Sequence, residues 1–259
     1  MRNSFRTLLA AFVAVSMVAF VGCGKDDSNN ASNGSGSGNG IVNPIPNPTP
    51  GPGPNPQPTI NWVDLGLPSG LLWAECNLGA SSPEEYGDYI AWGEIQPKSV
   101  YEWGTYCYCT SDSVGNLITL TKYNTSTDYG TVDSLTTLQP SDDAATARLG
   151  SGARTPTREE WQELVDNTTI EWTSQNGVNG RKVTGANGKS LFLPATGYRS
   201  GYNSGTDVIF AGDGGGYLSA SLYIDDPYFA WNFNYDSAAM NIRSASRYDG
   251  HSVRAVRSR

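Results

Sequence analysis

The longest uninterrupted apolar run lies close to the start of the chain. Residues 8–21 are almost entirely apolar, and Arg2 and Arg6 precede them. A membrane-spanning helix needs about 20 apolar residues. A basic start, a shorter apolar run and a small residue such as Gly22 are instead typical of a secretory signal. The pattern therefore predicts a signal peptide over residues 1–22 and export of the rest of the chain.

Polar residues and prolines dominate the next segment. Residues 28–59 consist largely of Ser, Asn, Gly and Pro, with the prolines concentrated toward the end. Such a composition buries too little apolar surface to offset the entropy lost on ordering. The Ser/Gly part predicts a flexible coil, and the Pro part a stiffer spacer that extends by about 3.1 Å per residue. We therefore expect residues 23–59 to form an unfolded stalk.

One segment beyond the stalk has the apolar spacing of a helix. Thr157 and Glu160 are placed as a capping box, in which each side chain binds the backbone amide of the other residue. Trp161, Leu164 and Val165 then fall on one face. This segment predicts a helix that begins after Thr157.

Weaker patterns predict two more helices and a set of strands. One helix begins around residues 141–143, and another spans residues 82–86, where a proline suits the first turn. Alternating residues on both sides of Gly185-Ala186-Asn187-Gly188 predict a hairpin. Later strands are predicted at residues 216–222, 229–235 and 252–256. These elements predict one α+β domain over residues 60–259, with two or three helices and many short strands.

The charge of the chain excludes one class of partner. Its 17 Lys and Arg and its 25 Asp and Glu give a formal net charge of −8. Nucleic acid backbones are bound by clustered basic side chains, so we expect no nucleic acid ligand. The basic positions Arg254, Arg257 and Arg259 lack interleaved aromatic residues for stacking on bases.

A cysteine directly follows the predicted signal peptide. Phe20-Val21-Gly22-Cys23 resembles the bacterial lipobox, which implies that Cys23 carries acyl chains such as palmitate and anchors the protein to a membrane. Each buried methylene contributes about 0.8 kcal/mol to such an anchor. Asp26-Asp27 resembles the signal that sends some lipoproteins to the outer face of the outer membrane. The alternatives are an ordinary signal peptide that contains a cysteine, and an acidic pair without a role.

Three further cysteines lie in the domain, at Cys76, Cys107 and Cys109. A disulfide from Cys76 to either of the other two is compatible with export. Cys107 and Cys109 are too close in sequence for an ordinary bridge. No histidine lies near them, so we expect no zinc site and interpret all three as structural or incidental.

Five motifs of the domain resemble those of one family. They lie at residues 63–74, 87–94, 154–161, 193–199 and 252–254, and the third has the form Arg-x-Pro-Thr-x-x-Glu-Trp. These residues resemble the FISUMP-type major paralogous domains over nearly all of the chain beyond the stalk. The resemblance implies a C-type-lectin-like fold, related to that of formylglycine-generating enzymes and of the variable proteins of diversity-generating retroelements. The chain departs from the family at Ala153, where an aromatic residue is usual.

The residues that the related enzymes need are missing. The formylglycine-generating relatives depend on cysteines late in the chain, and none follows Cys109. His251 is the only histidine, and so the only histidine base for a nucleophilic pair. The short calcium-binding motifs of animal lectins are also absent. We therefore predict that the protein is not an enzyme and has no cofactor and no metal, with a pair of carboxylates from distant segments as the open alternative.

The last forty or so residues have an unusual composition. Residues 217–259 contain no Lys, Glu or Gln. They resemble the variable region of retroelement-diversified proteins, in which mutated Asn codons give Tyr, Asp, Ser, Ala, Ile, Phe, Leu, His and a few other residues, but never those three. Tyr gives a large contact area at little rotamer cost, and Ser and Asp give adaptable hydrogen bonds. The candidate ligand-binding residues are Tyr217, Leu218, Tyr223, Ile224, Asp226, Tyr228, Phe229, Ala239, Ile242, Ser244, Ala245, Ser246, Tyr248, Asp249 and His251.

Together these features predict a lipoprotein, exposed on the outer membrane, that presents a ligand-binding domain with a diversified C-terminal site. Its expected partner is an unidentified protein or glycan at a cell or phage surface. The alternative is a cell-surface or fimbria-associated domain with a structural or adhesive role and no diversified site.

Overall fold

Short β-strands make up most of the regular structure. The computed structural model describes residues 60–111, 118–201 and 207–259. Within these ranges there are fourteen strands and two α-helices, which confirms a mixed α+β, mostly sheet fold. The predicted signal peptide, Cys23 and the stalk lie outside the described residues. No helix of the described ranges is long and apolar enough to cross a membrane.

The helix with the strongest sequence signal is confirmed together with its cap. α2 (Arg158–Asn167) follows Thr157, whose Oγ1 accepts a hydrogen bond from the Glu160 amide at 3.3 Å. Glu160 Oε2 accepts one from the Thr157 amide at 2.8 Å. Trp161 faces the core. The helix gives way to a strand at Thr168, where a β-branched run begins.

The weaker helix is confirmed as well. α1 (Ala144–Leu149) follows a 3₁₀ turn at Pro140–Asp142. Asp143 caps it by accepting a hydrogen bond from the Ala145 amide at 2.9 Å. Gly150 ends the helix with a φ of 89°, a conformation that glycine adopts without strain.

The third predicted helix, over residues 82–86, is wrong. Residues 83 and 84 form a turn, with bends at residues 82 and 85. The Glu85 carboxylate accepts a hydrogen bond from the Ser81 amide at 2.7 Å, and Gly87 has a φ of 70° immediately after the segment. Five residues are too few to offset the cost of helix nucleation, so these local contacts determine the conformation.

The strands are mostly short, and the longer ones lie in the second half of the domain. Their bounds are β1 (Trp62–Asp64), β2 (Leu72–Ala74), β3 (Cys109–Ser111), β4 (Ile118–Leu120), β5 (Ala153–Arg154), β6 (Thr168–Gln175), β7 (Val178–Gly185), β8 (Ser190–Pro194), β9 (Tyr198–Arg199), β10 (Val208–Ile209), β11 (Gly214–Leu222), β12 (Phe229–Asp236), β13 (Met240–Ser246) and β14 (Val256–Arg257).

Antiparallel pairing arranges these strands in five sheets. A four-stranded sheet has the order β1-β2-β14-β5, and two three-stranded sheets contain β6-β7-β8 and β11-β12-β13. Two small sheets pair β3 with β4 and β9 with β10. In the four-stranded sheet, β14 lies between β2 and β5, so the end of the domain pairs with segments far from it in the chain.

The strand predictions are confirmed except near the end of the chain. β7 and β8 form the predicted hairpin, and residues 216–222 and 229–235 lie within β11 and β12. The predicted strand at residues 252–256 is wrong over most of its length, since only Val256 belongs to β14. The backbone of residues 252–255 instead bonds to separate segments, since the Ser252 amide donates to the Gly216 carbonyl oxygen and the Val253 and Ala255 carbonyl oxygens accept from Leu78 and Ala74.

Aromatic side chains form the centre of the interior. The ring of Trp161 stacks on that of Phe233 at a centroid distance of 4.8 Å. It also packs against Trp73 at 4.8 Å and Tyr217 at 5.8 Å. A second apolar cluster surrounds Trp92. These clusters fix the position of the sheet β11-β12-β13, which carries the candidate site.

Arg247 is buried completely and binds several separate segments. Its guanidinium donates hydrogen bonds to the Tyr106 hydroxyl at 2.9 Å and to the carbonyl oxygens of Lys122 at 3.0 Å, Tyr123 at 3.2 Å and Pro227 at 3.0 Å. No ion pair forms with any carboxylate of the described residues. The positive charge is stabilised by carbonyl dipoles and by neighbouring aromatic rings, as cation–π geometry allows.

Arg254 has a similar role in the four-stranded sheet. It is fully buried and donates to Asn77 Oδ1 at 3.0 Å and to the carbonyl oxygens of Ala74 at 3.1 Å, Phe192 at 2.9 Å and Glu75. This arginine therefore belongs to the interior and is unavailable to an external partner.

The three cysteines of the described domain are free, so the disulfide considered for Cys76 does not form. Cys109 Sγ donates a hydrogen bond to the Trp103 carbonyl oxygen at 3.2 Å. Burial raises the pKa of the Cys76 and Cys109 thiols. Both thiols therefore stay protonated and poorly nucleophilic.

Candidate ligand-binding cavity

The fifteen residues proposed from the sequence divide into a buried group and a surface group. The buried group is Tyr217, Leu218, Asp249 and His251. The exposed or half-buried group is Tyr223, Ile224, Asp226, Tyr228, Phe229, Ala239, Ile242, Ser244, Ala245, Ser246 and Tyr248.

Tyr217 and Leu218 are core residues, which corrects their assignment to a ligand surface. Tyr217 packs against Trp161 in one apolar cluster, and Leu218 lies in the other. Nearly every residue of β11 is buried. The strand is covered on both sides, and so neither residue can reach an external ligand.

Asp249 and His251 are also removed from the set of surface contacts. They are 8% and 2% exposed, respectively. Asp249 Oδ1 and both ring nitrogens of His251 lack a hydrogen-bond partner among the described residues. Their polar atoms are therefore interior groups whose protonation depends on burial.

The surface group does not form one site. Ala239 lies in the turn before β13, whereas Ser246 is the last residue of that strand. At about 3.3 Å per residue, the two ends of β13 are about 20 Å apart. A small ligand cannot contact both ends.

Aromatic rings occupy the Ser246 end. The rings of Tyr228 and Tyr248 pack on Trp103 at centroid distances of 5.2 and 5.0 Å, and Tyr129 packs on Tyr228 at 4.9 Å. Tyr228 Oη donates to the Ile118 carbonyl oxygen at 2.6 Å. Because these rings already contact one another edge to face, they form a packed cluster and leave little space for a ligand.

An open cavity of about 550 Å³ occupies the opposite end, where β12 turns into β13. Its floor includes Gly214 and Gly215 of β11 and Asn234 of β12, and β13 adds Asn241 and Arg243. Cavities of this size are typical of small-molecule sites. Of the residues proposed from the sequence, only Ala239 lines it.

Two aromatic rings form one wall of the cavity. The ring centroids of Tyr198 and Phe210 are 6.2 Å apart, with planes inclined by 30°. Phe210 is 61% exposed and has a φ of 60°, which is unusual for a bulky residue. On its other side, Tyr198 stacks on His251 at 5.4 Å. The wall thus holds a fixed tyrosine ring and an exposed phenylalanine ring.

Buried polar groups lie beneath this wall. Asn234 lines the cavity, is only 7% exposed, and its Nδ2 has no hydrogen-bond partner in the described structure. A Cβ at Gly216 would lie 2.5 Å from His251 Nδ1 and 3.3 Å from Asn234 Oδ1, so glycine leaves room for both side chains. An unpartnered buried donor costs about 1–3 kcal/mol. The Nδ2 atom has almost no exposed area, so a ligand in the cavity can supply the missing acceptor once the Asn234 side chain turns toward it.

The charged residues of the cavity differ in how many hydrogen bonds they make within the protein. The Asp236 carboxylate accepts hydrogen bonds from the amides of Ala238 and Ala239 at 2.7 and 2.8 Å, and these bonds lower its pKa. Arg243 is exposed and makes no hydrogen bond or ion pair with the described residues. Asp213 is exposed as well. With two carboxylates and one guanidinium, the lining has a small negative excess.

A larger cavity, of about 680 Å³, lies near Cys76. Most of its polar side chains are paired, although Arg148 Nη1 has no hydrogen-bond partner among the described residues. Asn77 accepts a hydrogen bond from Arg254 and donates one to the Tyr86 carbonyl oxygen, and Arg148 forms an ion pair with Asp88 at 2.7 Å. This cavity is the larger of the two, but no aromatic ring of the described residues lines it, whereas the cavity beside Phe210 has an exposed aromatic wall.

The described residues contain no cluster of three or more His, Cys, Asp or Glu side chains that could hold a metal ion. The adjacent carboxylates at 142 and 143 have separate structural roles. Asp142 accepts hydrogen bonds from Lys122 and Tyr123, whereas Asp143 caps α1. This pair therefore does not converge on a common cleft.

Asp249 and His251, the two buried ionisable residues of the candidate set, should change the stability of the fold with pH in opposite directions. Burial raises the pKa of Asp249 from 3.8 to about 6, against a hydrogen bond from Ser200 that lowers it. Burial, with a contribution from the charge of Arg243, lowers the pKa of His251 from 6.5 to about 3. Between pH 4 and 6, Asp249 reduces stability as the pH rises, because only the folded chain keeps its proton. Over the same window the contribution of His251 to stability increases as the pH rises, because only the unfolded chain protonates this imidazole.

We expect Asp249→Asn to leave the pH dependence of stability that is caused by His251 without an opposing effect. Its free energy of unfolding should fall more steeply than that of the parent between pH 6 and pH 4, by about 2 to 3 kcal/mol. Urea titrations of both proteins at the two pH values measure this difference. Asp225→Asn, which changes an exposed acid, is the matched control and should follow the parent. Parallel curves for Asp249→Asn and the parent would contradict the assignment.

Patterns in the sequence indicate few of the main cavity residues. Tyr198 and Phe210 precede the compositionally unusual segment. Asn234 and Arg243 lie within it but are not among the fifteen candidate ligand-binding residues. The available signal was the run Gly214-Gly215-Gly216, since consecutive glycines in a strand mark a close approach of other groups.

No protein-family model, curated protein or solved structure matches this chain. The chemistry assigned to the cavity therefore rests on its own residues and their geometry.

Proposed function

We propose that this protein is a surface-anchored lipoprotein that binds a ligand in the cavity beside Phe210. The observation that carries the proposal is the Asn234 amide, which is 7% exposed, has no partner among the described residues, and lines an open cavity. An exposed aromatic ring and an unpartnered buried donor both disfavour the empty state. Contact with a ligand relieves both, which a purely structural role does not.

The membrane anchor and the fold family are parts of the same proposal. The lipobox ending at Cys23, the acidic pair Asp26-Asp27 and the composition of residues 28–59 support display on the outer membrane through a stalk. The five sequence motifs support a C-type-lectin-like domain. Binding without catalysis is supported by the separate structural roles of Asp142 and Asp143.

Diversification by a retroelement is a separate proposal for the surface group of C-terminal residues. Its support is the absence of Lys, Glu and Gln after residue 216. Tyr217 and Leu218 leave the variable set, because substitutions there would disturb the core. The gene tests this directly. Codons that do not end in C at the surface positions, or the lack of a nearby template and reverse transcriptase, would rule diversification out.

Phe210→Ala is expected to weaken ligand capture at least tenfold. The exposed ring contributes contact area to the ligand and little to the core, so the melting temperature should stay unchanged. The full chain, purified in detergent, is applied to arrays of surface glycans and surface proteins. The strongest ligand is then titrated against the parent and the variant.

Two other exposed apolar residues serve as matched controls. Val132 is 40% exposed and lies outside both candidate surfaces, so Val132→Ala should bind as the parent does. Ile224 is 58% exposed and belongs to the residues proposed from the sequence. If Ile224→Ala weakens capture and Phe210→Ala does not, the ligand binds the C-terminal loop and the cavity proposal fails. Capture that none of the three substitutions alters would favour a structural or adhesive role.

A further inference from the structure

We propose that the cavity beside Phe210 binds a neutral pyranose ring of a saccharide, without a metal ion. This inference rests on the proposed ligand-binding function and specifies its chemistry. It requires three properties of the lining, namely an apolar platform, donors and acceptors in close proximity, and a charge that disfavours anions.

The platform is the wall formed by Tyr198 and Phe210. Their rings are inclined by 30° and present a shallow apolar surface, of which Phe210 is the solvent-facing part. One face of a pyranose carries several C–H bonds with slight positive charge, which pack favourably on the negative face of an aromatic ring. The stack of Tyr198 on His251 fixes the position of this platform before a ligand arrives.

The floor and the far side supply hydrogen bonds of both kinds. Asn234 offers a buried Nδ2 donor without a partner in the described structure, and Asn241 adds an exposed amide. Arg243 adds donors, and Asp213 adds acceptors. A sugar hydroxyl is at once a donor and an acceptor, so it can use both sets. A purely apolar ligand would leave these groups unpaired.

The charge of the lining disfavours phosphate and carboxylate ligands. Two carboxylates, Asp213 and Asp236, face one guanidinium, that of Arg243. The backbone amides that bind Asp236 lower its pKa and keep it ionised. The formal charge of the whole chain, −8, acts in the same direction on an approaching anion. A neutral ligand avoids this repulsion and still uses the Arg243 donors.

The expected affinity of a single sugar is low. At about 0.3 kcal/mol per non-hydrogen atom, a methyl glycoside gains about 4 kcal/mol, which corresponds to a Kd of about 1 mM. The titration is therefore performed with the full chain in detergent and the methyl glycosides of glucose, galactose, mannose and N-acetylglucosamine, in the presence of EDTA. Glucuronic acid and methyl phosphate are the anionic probes. Saturation-transfer NMR detects binding, and calorimetry measures its Kd.

We expect at least one neutral glycoside to bind in EDTA, and Phe210→Ala and Asn234→Leu each to weaken it more than tenfold. Asn241→Ala, at an exposed position, provides a second polar variant whose effect does not depend on packing of the interior. Val132→Ala should leave the Kd unchanged.

The inference is overturned if no neutral glycoside binds, if binding requires a divalent cation, or if the anionic probes bind more tightly. A protein ligand that is still captured in a Phe210-dependent way would then preserve the proposed function and reject the saccharide. If neither sugars nor proteins bind in a way that depends on Phe210, the proposed function fails as well.

Discussion

Replacement of Arg247 by alanine is expected to lower the free energy of unfolding by about 4 kcal/mol or more. The substitution leaves the carbonyl oxygens of Lys122, Tyr123 and Pro227 without their donor and opens a cavity among aromatic rings. Burial is complete, so these carbonyl oxygens depend on the guanidinium rather than on bulk water in the parent. Urea denaturation of the full chain, followed by circular dichroism under reducing conditions, measures the loss.

Two substitutions separate hydrogen-bond geometry from charge. Arg247→Lys keeps the charge, but one ammonium group cannot reach four partners in three segments, and we expect it to restore less than half of the lost stability. Arg243→Ala removes an exposed guanidinium and should change stability by about 0.5 kcal/mol or less. Equal effects of Arg247→Ala and Arg243→Ala would show that the buried network contributes nothing specific.

The second large effect is expected for Trp161→Ala, at about 4 kcal/mol. This residue is completely buried, stacks on Phe233 and contacts Trp73, so its removal leaves an unfilled volume at the centre of the core. Trp161→Phe keeps a ring in the stack but loses the hydrogen bond from Nε1 to the Leu218 carbonyl oxygen at 3.0 Å. We expect a loss of about 1 to 2 kcal/mol for this conservative change.

Trp231→Ala provides the matched control. That ring is half-buried and lies under the Arg158 guanidinium at 4.3 Å. Its removal should lower stability by about 1 kcal/mol, because solvent already reaches the site. Similar losses for Trp161→Ala and Trp231→Ala would mean that the stack on Phe233 does not organise the core.

Local sequence signals were sufficient to predict the elements that depend only on neighbouring residues. The cap at Thr157 and the hairpin turn at Gly185-Ala186-Asn187-Gly188 depend on neighbouring residues, and both were predicted. The order of the four-stranded sheet depends on pairing between distant segments and could not be predicted. Residues 252–256 show the same limit, since the burial of Arg254 arises from carbonyl groups contributed by other parts of the chain.

The candidate site was predicted only at the level of the region. The composition of residues 217–259 predicted a ligand site in this segment, which does contribute Asn234, Asn241 and Arg243 to the cavity. It could not distinguish exposed positions from core positions such as Tyr217, because that depends on what covers each face of β11. The wall formed by Tyr198 and Phe210 is brought to the cavity by tertiary packing, which no periodicity in the last strands encodes.

The central place of β14 determines when the chain can finish folding. β14 separates β2 from β5, and Arg254, just before β14, donates a hydrogen bond to the Ala74 carbonyl oxygen, 180 residues away in the chain. In a chain exported as we propose, β2 leaves the secretion channel long before its partner strand does. The four-stranded sheet can close only after β14 has also left the channel, so the segments before it cannot complete this sheet in transit. A chain that stalls part-way leaves unpaired strand edges open to proteolytic quality control.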